Sequence, residues 1–381
     1  MIDQEKIENL FAAGKEILDD AAATAQKVYQ SVAGKPVKAG VIGATGYAGV
    51  ELVRLLSAHP GVKLTAVSSV SFEGKALSEV YPALYHICDM TLTNEDDVIS
   101  KSDVVFASLP HGLCEAIGRK CVDRGVKLID LGADFRLKKE EDYHQWYGLS
   151  YQDKPLHEMS AYCIPELHRE RLRKPGIQIV GNPGCYVTCA TLGLAPLVKS
   201  GLAELSSLVI DAKSGVSGAG RGLTQNTHYP ECNEAFSPYK VAAHRHTPEI
   251  EQNLAELAGQ DVTVTFVPHL LPVNRGIVAT SYVSLKCDTD CDKIVELYNE
   301  FYKNERFVRV LPKGKTANLK YVAYSNYCDL SLHADSRTNR MIVVSAIDNM
   351  GKGAAGQAIQ NMNLLFGLPE DMGLRAAPPA I

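Results

Sequence analysis

The sequence predicts an α/β domain built on a doubly wound parallel sheet, combined with an α+β domain built on a mixed or antiparallel sheet. Short apolar strands alternate with helical segments from residue 37, and a glycine-rich turn follows the first of these strands. After residue 185 the strand-like runs become longer and alternate in parts. With 381 residues, of which 46% are hydrophobic, the chain has enough apolar material for two cores.

The first domain is predicted from a regular alternation of strands and helices. Strands are expected at residues 37–42, 63–70, 104–109 and 127–131, with helices at residues 48–58 and 113–124. Repeated strand–helix–strand units favour a parallel sheet with helices on both faces. This is the Rossmann-type arrangement, in which ligands bind beyond the carboxyl ends of the strands.

The second domain is predicted from strand-like runs at residues 207–212, 262–267, 276–286 and 340–347. The second run is rich in β-branched residues, which is typical of strands. A helical pattern over residues 353–365 is expected to return and pack on the first domain. We therefore assign residues 37–184 and 349–381 to the Rossmann-type domain, and residues 185–348 to an inserted second domain.

Residues 1–36 precede the first predicted strand and are expected to form a helical extension. Apolar residues recur there as on one face of an amphipathic helix, at Ile7, Leu10, Phe11, Ile17 and Leu18. We expect this helix to pack on the protein or to contribute to an oligomer contact. The segment contains acidic residues and lacks the apolar core of a secretory signal.

Charge and composition exclude several classes of partner. The net charge is −5 with both signs interspersed, so no basic face is expected for nucleic acid. No apolar run is long enough to cross a bilayer, which argues against a membrane partner. The ten cysteines are scattered and form no paired CxxC set, so we expect no metal site. Reduced thiols of this kind indicate a cytoplasmic protein.

A glycine-rich turn between the first strand and the first helix is the candidate nucleotide site. Its residues follow a G-x-x-G-x-x-G spacing and include Gly43, Ala44, Thr45, Gly46, Tyr47 and Gly49. Glycines let the backbone approach a pyrophosphate, whose charge the helix N-terminus attracts. The alternative is a plain glycine turn, but the position between a strand and a helix favours a dinucleotide.

The end of the second strand distinguishes between the two nicotinamide cofactors. An NAD site usually has an acidic residue there for the ribose hydroxyls, whereas this chain has Ser68 and Ser69. Hydroxyls receive a 2′-phosphate without repelling it, so the sequence favours NADP(H), although the serines could simply cap a loop. Pro110 and His111 follow a later strand and are expected to contact the rest of the cofactor.

Cys185 is the candidate nucleophile. It lies in GNPGCY, residues 181–186, after a tight turn and at the start of an apolar helical pattern. Unpaired N–H groups and the positive end of the helix dipole favour a thiolate there, and a thiolate can carry an acyl group as a thioester. The alternative is a buried structural cysteine, because free cysteine often behaves as a small apolar residue.

A histidine-rich turn supplies the candidate acid and base. His246 lies in AHRHTPEI, residues 243–250, with Thr247 as a candidate N-cap and Pro248 in the first turn of a helix. Imidazole titrates near neutrality, and Glu249 is expected to hold the His246 ring in one orientation. His244 is the second candidate, and a purely structural histidine is the other alternative.

Two further glycine-rich loops are expected to contact the cofactor. Ser217 and Gly218 lie in the first, and Asn349 and Gly351 lie in the second. Small residues let a ligand approach the backbone, although a flexible surface loop would have the same composition.

Five motifs, in order, resemble those of the N-acetyl-gamma-glutamyl-phosphate reductase family over residues 37–368. They are GATGYAG (43–49), GNPGCY (181–186), SGVSGAGR (214–221), AAHRHTPEI (242–250) and DNMGKGAAGQAIQNMN (348–363). The family is related to aspartate-semialdehyde dehydrogenase and, more distantly, to glyceraldehyde-3-phosphate dehydrogenase. These enzymes pair a Rossmann domain with an α+β domain that serves catalysis and dimerisation.

The resemblance implies reduction of N-acetyl-glutamyl 5-phosphate by NADPH, with release of phosphate, in arginine biosynthesis. Cys185 would attack the acyl phosphate, and His246, oriented by Glu249, would act as acid and base. The implied substrate-binding residues are Arg136 for the phosphate, Arg221 or Arg245 for the carboxylate, and Asn182. Arg136 could instead pair with Asp134 or a surface acid. A homodimer or homotetramer is implied through the second domain.

Two other functions stay open on the residues alone. Another acyl-phosphate reductase would act on aspartyl phosphate or on carrier-linked aminoadipyl phosphate. HRHTPEI and SGVSGAGR fit the glutamyl family better, and the negative net charge argues against an acidic carrier. A non-catalytic NADP-binding protein would keep the fold without turnover, against which Cys185, His246 and Glu249 argue.

Overall fold

Two seven-stranded sheets organise the part of the chain that the structure describes. The structure is a computed structural model that describes residues 35–287 and 290–380. The predicted N-terminal helix and its apolar positions lie outside these residues.

The first half of the chain alternates strands with helices. The elements are β1 (Val37–Ile42), α1 (Tyr47–Ser57), β2 (Val62–Ser68), α2 (Leu77–Val80), β3 (Leu92–Thr93), α3 (Glu95–Ser100), β4 (Val104–Ala107), α4 (Cys114–Asp123), β5 (Lys127–Asp130), α5 (Glu140–Tyr147), α6 (Lys154–Glu158), β6 (Ser160–Tyr162), α7 (Pro165–Leu172) and β7 (Ile179–Gly181). A short 3₁₀ helix at Pro82–Leu84 follows α2. The strands form one sheet in the order β3-β2-β1-β4-β5-β7-β6, and every pair is parallel. The predicted doubly wound domain is confirmed.

The second half of the chain builds the other sheet around one buried helix. The elements are α8 (Cys185–Lys199), β8 (Val209–Gly215), α9 (Tyr229–Cys232), β9 (Ser237–Pro238), α10 (Thr247–Ala258), β10 (Thr265–Leu271), β11 (Ile277–Ser284), α11 (Cys291–Phe301), β12 (Val308–Val310), β13 (Cys328–Asp335), β14 (Arg340–Ile347), a π-helical turn (Gly351–Ala355) and α12 (Gly356–Leu365). Short 3₁₀ helices occur at Leu205–Ser207, Val216–Ala219, Gln225–Thr227 and Leu319–Tyr321. The sheet order is β12-β13-β14-β11-β8-β10-β9.

This second sheet is mixed, as predicted. The β8–β10 and β12–β13 pairs are parallel and the remaining pairs are antiparallel. Along β11 the side chains alternate between buried and partly exposed. One face of the sheet therefore belongs to the core, which is the pattern of a strand with one covered face.

Helix α8 is the centre of the second core. Its residues from Tyr186 to Val198 are all buried, and it packs on β11, β14 and α10. A helix that is apolar on all sides must be surrounded by protein, because no face of it is suited to water. Its first residue, Cys185, is therefore held by a rigid element.

The chain returns to the first sheet after β14. Ala358, Ile359 and Met362 of α12 are buried in the same core as Val41 and Phe106 of the parallel sheet. The π-helical turn before α12 thus joins the two sheets.

A fully buried ion pair holds this π-helical turn in place. Lys352 donates from Nζ to Glu166 Oε1 at 2.6 Å and to Gln360 Oε1 at 2.7 Å. The two charged side chains are 0% and 1% exposed. Burial opposes ionisation of Glu166, but the Lys352 ammonium holds the pKa of that carboxyl below its usual value.

Replacing Lys352 by methionine is expected to lower the free energy of unfolding by about 3–5 kcal/mol, because it leaves a buried carboxylate without its cation. Urea denaturation measures the loss. The double variant Lys352→Met/Glu166→Gln should recover part of the stability, since no lone charge then remains in the core. Arg337→Met is the control, because Arg337 pairs with Asp335 at the surface and is 86% exposed. A loss no larger than that of the control would show that the pair is unimportant.

Candidate active site

The carboxyl ends of four parallel strands meet at one edge of the first sheet. The glycine-rich turn follows β1, His111 follows β4, Arg136 lies after β5 and Cys185 comes after β7. Doubly wound sheets bind their ligands at this edge. Folding therefore brings together motifs that are far apart in the sequence.

The glycine-rich turn is as tight as a dinucleotide site requires. Gly43 has a φ of +81°, and a Cβ there would lie 2.3 Å from Ser108 O. A Cβ on Gly49 would lie 2.1 Å from Gly43 O. Helix α1 begins at Tyr47, with Gly46 as its N-cap, so Gly49 lies in its first turn. A close backbone approach and a helix N-terminus fit a pyrophosphate.

The serines at the end of β2 are buried and partly engaged. Ser69 Oγ and Thr45 Oγ1 are 2.7 Å apart, and Ser68 accepts hydrogen bonds from Gly43 and Ala44 through its backbone carbonyl. The Ser69 hydroxyl, which the sequence analysis expected to bind a 2′-phosphate, is thus already hydrogen-bonded within the protein.

The two other glycine-rich loops contact each other. Asn349 Nδ2 donates to Ser217 Oγ at 3.0 Å, and Asn349 Oδ1 accepts from Gly276 N at 2.7 Å. Gly351 N donates to Asp348 Oδ1 at 3.0 Å. Ser217 also lines a cleft of about 740 Å³ together with Tyr47 of the nucleotide turn. Gly220 and Arg221 also line this cleft, whereas Gly218 and Cys185 do not.

Cys185 is the first residue of α8, with Gly184 as the N-cap. Its side chain packs against the π-helical turn, because a Cβ on Gly353 would lie 2.8 Å from the Cys185 Cβ. Gly353 therefore has to be a glycine to leave room for the sulfur-bearing side chain.

The predicted thiolate at Cys185 is wrong for the protein without substrate. Burial raises the pKa of the Cys185 thiol to about 11, although Arg136 and the N–H groups of Cys185 and Tyr186 act to lower it. The helix N-terminus stabilises the anion less than burial destabilises it. The thiol is consequently neutral at pH 7 and needs a base to become a nucleophile.

This pKa predicts how alkylation of Cys185 depends on pH. The folded pKa of about 11 lies above the ordinary value of 9.0, so the thiol keeps its proton until the pH approaches 11. Because the thiolate is the reactive form, the rate of alkylation by iodoacetamide should still be rising at pH about 10. Mass spectrometry of the peptide that contains Cys185 measures the rate. A plateau already reached below pH about 8 would contradict the burial effect.

His246 faces the turn that carries Cys185. A Cβ on Gly184 would lie 2.4 Å from His246 Nε2, so the ring packs directly on that glycine. Burial and the neighbouring His244 and Arg136 hold the pKa of His246 well below its usual value. The imidazole is therefore neutral at pH 7 and able to accept a proton.

The helix start differs from the prediction by one residue. His246 itself is the N-cap of α10 and Thr247 is the first helical residue, so the N-cap assignment of Thr247 is wrong. Pro248 lies in the first turn, as predicted.

Glu249 does not orient the His246 ring, contrary to the prediction. Its Oε1 accepts from Gly184 N at 3.0 Å, and its Oε2 lies 3.5 Å from Arg136 Nη1. Both Glu249 and His246 are described, yet neither a hydrogen bond nor an ion pair joins them, and His246 Nδ1 has no protein partner among the described residues. Burial raises the pKa of Glu249 although Arg136 opposes this. Glu249 holds the peptide group next to Cys185.

Arg136 is buried, and its guanidinium is bonded to groups of the protein. Its Nε donates to Asn182 O at 2.8 Å, and its Nη2 donates to Leu131 O at 2.7 Å. Its acidic partner is Glu249 rather than Asp134 or a surface acid. The predicted role as a phosphate ligand gains no support from these contacts, because the guanidinium instead braces the turn before Cys185.

Asn182 is likewise used within the fold. Its Nδ2 donates to Ala354 O at 3.2 Å, and its Oδ1 accepts from Asn361 Nδ2 at 3.1 Å. This amide ties the Cys185 turn to the π-helical turn and α12, which does not support the predicted contact with substrate.

Arg245, His111 and Tyr147 lie together near His246. The Arg245 guanidinium carbon is 5.4 Å from the Tyr147 ring centroid, and the His111 ring meets the same tyrosine edge-on at 5.1 Å. Burial, Arg136 and Arg245 lower the pKa of His111 to about 4. The sequence prediction missed Tyr147, although it ends an aromatic helix shortly after Arg136.

Asp134 is a second residue that the prediction missed as a site component. Its Oδ1 accepts from Gly112 N at 2.8 Å, and its Oδ2 accepts from Cys114 N at 2.8 Å. Asp134 thereby fixes the turn that follows Pro110 and contains His111.

Arg221 lies at the nucleotide turn and not at the cysteine. Its Nη1 donates to Thr45 O at 3.1 Å. The prediction of Arg221 as a ligand of the substrate carboxylate is therefore not supported.

Comparison with known proteins decides the family. Residues 38–175 match the family described as "Semialdehyde dehydrogenase, NAD binding domain", and residues 185–349 match "Semialdehyde dehydrogenase, dimerisation domain". A Brachyspira hyodysenteriae protein named N-acetyl-gamma-glutamyl-phosphate reductase is 55% identical over 350 residues, which cover 90% of this chain and 99% of that protein. The chain belongs to the N-acetyl-gamma-glutamyl-phosphate reductase family.

Other relatives support the same assignment. N-acetyl-gamma-glutamyl-phosphate reductase from Clostridium beijerinckii is 51% identical over 90% of this chain and 99% of its own length. The protein of the same name from Pelotomaculum thermopropionicum is 52% identical over 89% and 97%. The resemblance inferred from the five motifs is confirmed.

Solved structures show the shared fold. Aspartate semialdehyde dehydrogenase II from Vibrio cholerae, complexed with ASA, has a TM-score of 0.68 at 16% identity, covering 87% of this chain and 98% of that one. The Candida albicans aspartate semialdehyde dehydrogenase with NADP has a TM-score of 0.65 at 18% identity, with the same coverage. The N-acetyl-gamma-glutamyl-phosphate reductase family thus shares its architecture with these enzymes. None of the described helices is both long and apolar enough to cross a membrane.

Proposed function

We propose that the protein reduces N-acetyl-glutamyl 5-phosphate to N-acetyl-glutamate 5-semialdehyde with NADPH, releasing inorganic phosphate, in arginine biosynthesis. The main observation behind this proposal is that His246 packs on Gly184, the residue before Cys185, at the sheet edge that also holds the glycine-rich turn. Membership of the family supports the choice of substrate.

Cys185 and His246 start the reaction as a neutral pair. Neutral His246 takes the proton of the Cys185 thiol, and the resulting thiolate attacks the acyl carbon of the substrate. The carbon–oxygen bond to phosphate then breaks, which leaves the acyl group on Sγ as a thioester. Splitting the reaction in this way replaces one difficult step by two easier ones.

The second half returns the enzyme to its starting state. When bound, NADPH supplies the hydride that brings the thioester to the aldehyde level. Cys185 then leaves as a thiolate and recovers its proton from His246. In this proposal the N–H groups at the start of α8 stabilise the negative charge that develops on the carbonyl oxygen of the acyl group.

The residues around the pair have positioning and binding roles in this proposal. Glu249, Arg136 and Asn182 hold the turn of Cys185 in one geometry. Arg245, which lies over the Tyr147 ring, provides positive charge for an anionic substrate.

The same proposal covers domains, assembly and compartment. Residues 37–184 and 349–381 form the cofactor domain, while residues 185–348 form the catalytic domain and join copies as a homodimer or homotetramer. A cytoplasmic location agrees with the ten scattered cysteines of the sequence, which form no paired CxxC set.

The reverse reaction tests the proposal. Purified protein is given NADP and phosphate with either N-acetyl-glutamate 5-semialdehyde or aspartate semialdehyde. We expect kcat/KM to favour the acetylated substrate by about 100-fold or more, because a site built for one set of polar groups rejects a substrate that lacks them. A preference for aspartate semialdehyde would contradict the substrate assignment, and no turnover with either would favour a binding protein.

A further inference from the structure

Arg221 reaches from the loop after β8 to the nucleotide turn of the first sheet. Its Nη1 donates to Thr45 O at 3.1 Å, and the Tyr81 hydroxyl donates to the same carbonyl at 2.9 Å. Arg221, from the second half of the chain, and Tyr81, from the first half, thus bind the same carbonyl of the glycine-rich turn.

Two aromatic rings lie close to this guanidinium, and a second cation contacts one of them. The Arg221 guanidinium carbon lies 4.9 Å from the Tyr81 ring centroid and 5.4 Å from that of Phe72. Lys75 Nζ lies 5.9 Å from the same Phe72 ring. Within residues 35–287 and 290–380 neither cation forms an ion pair. Cation–π contacts hold both groups without neutralising their charge.

The position of these cations matches the ribose end of a dinucleotide. Phe72 and Lys75 follow directly after β2, and β2 ends beside the glycine-rich turn. In doubly wound folds the residue at the end of this strand contacts the ribose hydroxyl that carries the 2′-phosphate in NADP. Ser69 already shares its hydroxyl with Thr45, so two unpaired cations are the stronger anion ligands there.

We propose that Arg221, assisted by Lys75, binds the 2′-phosphate of NADP(H) and sets the preference for NADP over NAD. The planar guanidinium can hold two phosphate oxygens at once. Because Arg221 belongs to the second half of the chain, cofactor binding also ties the two sheets together. This inference rests on the proposed use of NADPH.

Binding without substrate tests the inference. Calorimetric titration of the full chain with NADP⁺, NAD⁺ and 2′,5′-ADP gives the three affinities for wild type, Arg221→Met, Arg221→Lys and Lys75→Met. Arg221→Met should weaken the binding of NADP⁺ and 2′,5′-ADP about 10- to 100-fold, because charge-assisted hydrogen bonds are lost. The affinity for NAD⁺ should change by less than about 2-fold. Arg221→Lys should keep part of the affinity, and Lys75→Met should show a smaller loss of the same pattern.

The outcomes separate this inference from the proposed function. Suppose that the wild type prefers NADP⁺. If Arg221→Met keeps that preference, or if it loses affinity for NADP⁺ and NAD⁺ equally, the role of Arg221 is wrong while the cofactor assignment stands. If wild type binds NAD⁺ as tightly as NADP⁺, the inference and the cofactor assignment are both wrong. Arg337→Met, which alters an exposed arginine paired with Asp335, is the matched control for loss of a positive charge.

Discussion

Cys185→Ser is expected to lower kcat by about 10⁴-fold or more while leaving NADPH binding unchanged. A serine hydroxyl does not ionise under these conditions and cannot form the thioester, so the covalent route is lost. The variant keeps the size of the side chain that packs against Gly353, which should preserve the fold. Steady-state kinetics measure the loss, and NADPH fluorescence measures the retained binding.

The chain offers a matched control for this change. Cys291 is also the first residue of a helix, α11, with Asp290 as its N-cap. Cys291→Ser should keep the wild-type kcat, since it lies outside the sheet edge that collects the site. If Cys185→Ser retained more than about 1% of wild-type kcat, Cys185 would not be the nucleophile.

His246→Asn is expected to lower kcat by about 10²- to 10⁴-fold, because the Cys185 thiol then has no base to take its proton. The pKa of His246 is lowered below the ordinary value of 6.5, so the base form persists on the acid side of neutrality. Wild-type kcat/KM should therefore fall only as the pH drops well below 6.5, and this acid limb should disappear in the variant.

His244→Asn is the comparison that separates the two candidate histidines. His244 Nδ1 accepts from His246 N at 3.1 Å, so it supports the backbone at the helix start. Its loss should have a smaller effect on kcat and leave the acid limb in place. If His244→Asn lowered kcat more than His246→Asn does, His244 rather than His246 would be the acid and base.

The sequence predicts most of the fold because hydrophobic periodicity is local. The strands β1, β2, β4, β5 and β14 and the helix α8 all lie close to their predicted positions. The strands β3, β6, β7 and β12 are two or three residues long and carry no periodic signal. The parallel pairing of β8 with β10 depends on the path of the chain, which periodicity does not encode.

The sequence identifies the residues of the site better than it identifies the contacts that these residues make in the folded protein. Gly43, Cys185 and His246 stand at element boundaries that turn and helix signals mark in the sequence. By contrast, the contact of Glu249 with Gly184 and the raised pKa of Cys185 depend on burial after folding. The placement of Arg221 depends on how the two halves pack, which no local pattern reveals.

An acyl adduct on Cys185 is the most direct test of the proposed chemistry. Protein incubated with N-acetyl-glutamyl 5-phosphate in the absence of NADPH is analysed by intact-mass and peptide mass spectrometry. We expect one N-acetylglutamyl group per chain, on the peptide that contains Cys185, and its removal on addition of NADPH. No adduct, or an adduct on a different residue, would contradict a thioester mechanism at this cysteine.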